Sequence, residues 1–90
     1  MTYTLHLVRR WPDDLVEDLM RDDAKAGMTP HLVLLHDGVL QVHLVTSGPD
    51  RVVRAVADDF RRRGIPVPTE AVSYAELVEL IAGAERVVSW

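Results

Sequence analysis

Apolar residues fall in short blocks along this chain, each closed by charged residues, glycine or proline, so the pattern reads as alternating strands and helices. Thr4-Leu5-His6-Leu7-Val8 is a β-favouring run that ends at Arg9-Arg10 and Trp11-Pro12, because proline cannot donate to a ladder. A helix is predicted from about Pro12. Proline suits a first turn, Asp13 and Asp14 complement the positive helix end, and Leu15, Val16, Leu19 and Met20 recur at helical spacing on one face. Its far end carries opposed signals: Asp22 and Asp23 work against the dipole near a C-terminus, whereas Lys25 and Gly27 suit one, and residues 21–30 stay unassigned. His31-Leu32-Val33-Leu34-Leu35-His36 is nearly continuous in apolar residues, the pattern of a central strand covered on both faces.

Asp37-Gly38 then admits two readings, a type I′ hairpin or a short apolar helix through Val39, Leu40, Val42, His43 and Leu44, broken by Ser47-Gly48-Pro49-Asp50. Val52, Val53, Ala55 and Val56 predict the next strand, and Asp58 is a natural N-cap for a short helix through Arg63, closed by Gly64. After a linker enforced by Pro66 and Pro68, Ala71-Val72 reads as strand. Ser73 and Glu76 stand at capping-box spacing before a helix from Tyr74 to Ala82 that Gly83 ends, and Val87-Val88-Ser89-Trp90 closes as strand. Strands alternating with helices through short connections predict an α/β fold with a parallel sheet.

Ninety residues suit one domain, and folding removes only about 60 to 65% of the unfolded surface from water at this size, so association with a partner is expected. The 48% hydrophobic and 27% charged fractions are those of a folded globule. A net charge of −4 argues against direct nucleic-acid binding over the whole domain, because phosphate affinity rests on clustered lysine and arginine. No apolar run is long enough to span a bilayer, and Met1-Thr2-Tyr3-Thr4 lacks the order of a signal peptide, so the expected location is cytoplasmic. With no cysteine the chain has no disulfide, thiolate nucleophile, iron–sulfur ligation or persulfide carriage of its own.

Several segments together resemble the DsrH/TusB-like proteins of the DsrE/DsrF/DsrH-like sulfur-relay superfamily. They are Leu32 to Leu35 followed by His36-Asp37-Gly38-Val39, Arg51 to Ala57 running into Asp58-Asp59-Phe60 and Arg63-Gly64, then Val72-Ser73-Tyr74 and Trp90. The similarity runs from Leu5 to Trp90 through short motifs in a matching order; His36 replaces the usual glutamine, and Arg62-Arg63-Gly64 stands for Ala-Arg-Gly. The resemblance implies a three-layer α/β/α fold with a five-stranded, mainly parallel sheet, and a helix rather than a hairpin after Gly38. It also implies a homo-oligomer, or a hetero-oligomer with DsrE/DsrF-like (TusD/TusC-like) subunits. Such assemblies pass persulfide sulfur toward 2-thiolation of the tRNA wobble uridine or serve sulfur oxidation. Because this chain lacks cysteine, a scaffolding or docking role is what transfers, with no cofactor implied. The alternative is a small ligand-binding or regulatory domain unrelated to sulfur transfer.

Ligands of open α/β sheets bind beyond the carboxyl ends of the strands, which places Arg9-Arg10, His36, Asp37 and Gly38, and Asp58 and Asp59 on one expected rim. His36 with Asp37 or Asp58 has the residue types of an acid–base pair, but an Asp-Gly turn and helix capping account for the same residues. Arg61, Arg62 and Arg63 are candidates for contact with RNA phosphate or an acidic partner, although cations are also favoured at a helix end, and Trp90 is a candidate for an interface, since aromatics are enriched there. His31 and His36 would face opposite sides of one strand, so no metal site is expected, and no nucleophile elbow or phosphate loop is present.

Overall fold

A computed structural model of the chain describes residues 2–44, 51–69 and 71–90, the side chains of 43 and 44 excepted. Its centre is a four-stranded parallel sheet in the order β3-β2-β1-β4: β1 Tyr3–Val8, β2 Thr29–Leu34, β3 Val52–Ala55 and β4 Arg86–Ser89. β1 lies between β2 and β4, with Tyr3 opposite Thr29, Val8 opposite Leu34 and His6 opposite Val88. Parallel neighbours need crossover connections, and helix α1, Asp14–Lys25, supplies the first. Helices α2, Ala57–Arg62, and α3, Tyr74–Gly83, flank the segment that leads back to β4.

The fifth expected strand is reduced to one bridge, because Val72 pairs in parallel with Val56 and nothing else of the segment joins the sheet as a named strand. Val72 N–H donates to Ala55 O and Ala57 N–H to Val72 O, both at 2.8 Å. The cause is spacing: Pro68 restricts the chain before this point and Ser73 caps α3 immediately after it, so too few residues remain to extend the pairing.

Alternation along the strands divides the core into two clusters. Val8, Leu32, Leu34 and Ala55 meet Val16 and Met20 of α1, Val39 and Phe60 of α2, whereas Leu5, Val33 and Val56 meet Val72 and Leu77 of α3. Each fully buried aliphatic side chain contributes roughly 1.5 to 3 kcal/mol. Leu15 does not share the buried stripe of α1 as its spacing implied; it is 59% exposed, and the stripe runs Val16, Met20, Asp23.

Local chemistry explains the helix limits. α1 begins at Asp14 rather than Pro12: Asp13 is the N-cap, its Oδ1 accepting from Leu15 N–H at 3.0 Å, and Pro12 precedes the cap. α1 ends in the two-bond motif that requires a left-handed residue, with Gly27 at φ 84°, Gly27 N–H bonded to Ala24 O and Met28 N–H to Asp23 O. α2 ends the same way through Gly64 at φ 66° and the bond from Ile65 N–H to Phe60 O. Its N-cap is Val56, without a side-chain bond; Asp58, expected there, lies inside the first turn. Ser73 and Glu76 form the reciprocal capping box, while Gly83 is the last helical residue rather than the stop beyond it.

After β2 the chain enters a 3₁₀ helix, His36–Leu44, and not a hairpin. His36 therefore does not belong to the strand, and at φ 51° it turns the chain out of the sheet. A β-carbon on Gly38 would lie 2.7 Å from Val8 O, so the close approach of this turn to the end of β1 demands glycine. The Ser47-Gly48-Pro49-Asp50 break lies outside the described residues.

Candidate functional site

The carboxyl ends of β1, β2 and β4 open onto a cleft of about 840 Å³ lined by Arg9, Arg10, Asp13, His36, Asp37, Gln41, Arg63 and Trp90. Of the rim residues expected from sequence, the fold brings Arg9, Arg10, His36 and Asp37 together and adds Arg63 and Trp90 from the proposed interface set. Gly38 is buried beneath the rim as a packing residue. Asp58, Asp59, Arg61 and Arg62 do not line the cleft.

Asp59 does a structural job instead. It is 1% exposed, and its Oδ2 accepts from the His36 main-chain N–H at 2.8 Å, securing the left-handed residue that starts the 3₁₀ helix. Its other oxygen lies 3.4 Å from the Tyr74 hydroxyl and within 4.0 Å of Arg62 and Arg63 guanidinium nitrogens. Asp58 pairs with Arg61 at 2.7 Å on the exposed side of α2. Asp37 is held by Arg63, whose Nε and Nη2 donate to Oδ1 at 3.0 and 2.7 Å. Asp37 thus pairs with Arg63 and Asp58 with Arg61, the two acids that the sequence offered beside His36.

A second polar group lies directly beneath, and sequence reading missed it. Thr4, His6 and Asp23 are all buried on the α1 side of the sheet. Thr4 Oγ1 donates to Asp23 Oδ2 at 2.7 Å, His6 Nε2 meets the same oxygen at 2.7 Å, and Arg86 of β4 donates to Asp23 Oδ1. The Trp90 indole Nε1–H donates to His6 Nδ1 at 3.2 Å, and the two rings stack with centroids 6.2 Å apart. Because indole nitrogen can only donate, Nδ1 accepts, and in the neutral imidazole the proton sits on Nε2, aimed at Asp23. Burial alone would raise the Asp23 carboxyl, but hydrogen bonds from His6, Thr4 and Arg86, together with the Arg86 charge, hold it below its ordinary 3.8.

An imidazole oriented by a carboxylate is the geometry of a general base. Here both ring nitrogens are engaged and His6 is fully buried, so the pair orders the fold and reaches no substrate. The signal available in the sequence was the pair of polar residues Thr4 and His6 at strand spacing, matched by an acid on α1; what hid it was that Asp23 reads as a misplaced charge near a helix end.

Trp90 joins the two groups. Its main-chain N–H donates to Leu7 O at 2.9 Å, its main-chain oxygen accepts from Arg9 Nε at 3.2 Å, and it packs against the first core cluster, so its contacts here are internal. His31 sits against Tyr3, ring centroids 4.5 Å apart, and burial, followed by the Arg54 charge, lowers its pKa from 6.5. Among the described residues no three His, Asp or Glu side chains gather as metal ligands. No helix among the described residues is long and apolar enough to cross a membrane. Comparison of the chain with protein-family models, with curated proteins and with solved structures finds no match.

Proposed function

We propose that this chain is a non-catalytic, cysteine-free subunit of a cytoplasmic sulfur-relay assembly of the DsrE/DsrF/DsrH type, acting in tRNA wobble-uridine 2-thiolation or sulfur oxidation. In this reading the domain is a three-layer α/β/α unit whose fifth strand has shrunk to the Val72 bridge, and it contributes surface where other subunits contribute the thiol. The observation that carries the assembly is the outer side of α3. Tyr74, Val78 and Ile81 recur there at helical spacing and are 38, 64 and 39% exposed, although the helix buries only Leu77 on its inner side. A monomer of this size gains nothing by leaving that stripe wet, whereas a neighbouring subunit would cover it. The sulfur-relay part rests on the resemblance of the motifs around Asp37-Gly38, Asp58-Asp59 and Val72-Ser73-Tyr74 to that family. Deleting the chain in its own cell and measuring 2-thiouridine at the tRNA wobble position tests it: thiolation should fall, and restoration by the Val78→Glu variant would contradict the role given to α3.

A second reading, a small ligand-binding domain, is favoured by the cleft at the carboxyl edge of the sheet, where open α/β folds hold ligands. Thermal-shift screening with nucleotides, anions and neutral small molecules tests it.

A further inference from the structure

The cleft holds positive charge that is unengaged among the described residues. Arg63 is committed to Asp37 and, through Nη1 at 3.1 Å, to Asp59 O, while Asp13 is occupied as the cap of α1. Arg9 uses only Nε, on the Trp90 main-chain oxygen, and its two Nη groups have no hydrogen-bond partner among the described residues. Arg10 is exposed and makes no hydrogen bond or ion pair among the described residues. Both arginines follow β1 directly, and the floor beneath them is fixed by the Gly38 approach to Val8 O and by the Asp59 bond to His36 N–H. The backbone that carries both arginines is thereby fixed, and the Nε bond to Trp90 O already orders Arg9, so the ordering cost on binding falls mainly on Arg10.

Building on the ligand-binding reading, we propose that this cleft binds a small molecule carrying one tetrahedral oxyanion, a phosphate or sulfate group, gripped by Arg10 and the Nη groups of Arg9. Guanidinium groups offer paired N–H donors matched to such oxygens. The volume of about 840 Å³ leaves room for an organic remainder beside Gln41 and Trp90. The net charge of −4 acts against a polyanion that runs over the whole surface, whereas a small ligand meets only the cleft and its arginines.

Calorimetric titration of the full chain with inorganic phosphate and with sulfate, each against chloride at equal ionic strength, tests the site, and the preferred anion identifies the source. Saturable binding is expected that chloride does not reproduce. Arg10→Ala should weaken it roughly ten-fold, and Arg61→Ala, outside the cleft, should leave it unchanged. Wild-type affinity in Arg10→Ala, or tighter binding of a single-stranded oligonucleotide than of inorganic phosphate, overturns the proposal. Binding of an uncharged nucleoside or sugar, with no response to either anion, overturns the oxyanion but keeps the ligand-binding reading. Silence across all probes overturns both.

Discussion

Beneath Trp90, the buried polar groups Thr4, His6 and Asp23 satisfy one another, and the half-exposed Arg86 closes the group from the solvent side. Above it, Arg9 and Arg10 line an open cleft, with most of their donors unengaged among the described residues. The contrast separates two uses of polarity in one small domain. Buried polar atoms cost free energy unless paired, so the lower group is complete and fixes the position of β4 and α1 against β1. The donors of Arg9 and Arg10 that have no partner among the described residues cost little to leave so, because water reaches them. The buried imidazole, His6, is held on both ring nitrogens, whereas the cleft above presents Arg9 and Arg10 beside the exposed His36 and Asp37.

Removing Asp23 should break this contrast most severely. Asp23→Leu strands the buried His6 and Thr4 donors, and denaturant unfolding should show a loss of about 3 kcal/mol. Gly38→Ala comes next: its β-carbon would press on Val8 O, with an expected loss of about 2 kcal/mol in the same assay.

How far these features were legible in the sequence differs by region. The four sheet strands, the Gly64 stop of α2 and the capping box of α3 announce themselves through local chemistry, since Ser73, Glu76 and Gly64 act within a turn of where they stand, whereas Gly27 ends α1 against the opposed signals of Asp22 and Asp23. The end of β2 does not, because the left-handed turn at His36 is stabilised by Asp59 from 23 residues away. The network of His6, Asp23, Arg86 and Trp90 is hidden for the same reason: its members are far apart in the chain, and each alone has an ordinary surface explanation. The Asp58 cap was misread because Val56 is drawn into the Val72 bridge and starts α2 two residues earlier than a side-chain cap would. The outer stripe of α3 escaped notice because Tyr74, Val78 and Ile81 have the spacing of a core face, and only the fold shows that Leu77 takes the inner side.

A smaller effect sharpens the comparison through pH. The Asp23 carboxyl lies below 3.8 in the folded chain, so as pH falls the unfolded chain takes up this proton first. The network's contribution should be full above about pH 4 and be lost as pH falls through the folded value. Asp23→Asn, starting from lower stability, should lose less over that window in acid titrations followed by circular dichroism. Smallest of all, Arg10→Ala and Val78→Glu should each change the stability of the isolated chain by less than about 0.5 kcal/mol. Val78→Glu should nonetheless abolish association, which sedimentation velocity would read.

The claim that this domain works through surfaces held by others is met most directly by its native mass after gentle purification from its own cell. The account predicts a complex in which this chain is accompanied by a related, cysteine-bearing subunit and from which the Val78→Glu variant is released. Recovery of the single chain alone, at every concentration and with wild-type and variant indistinguishable, would contradict it.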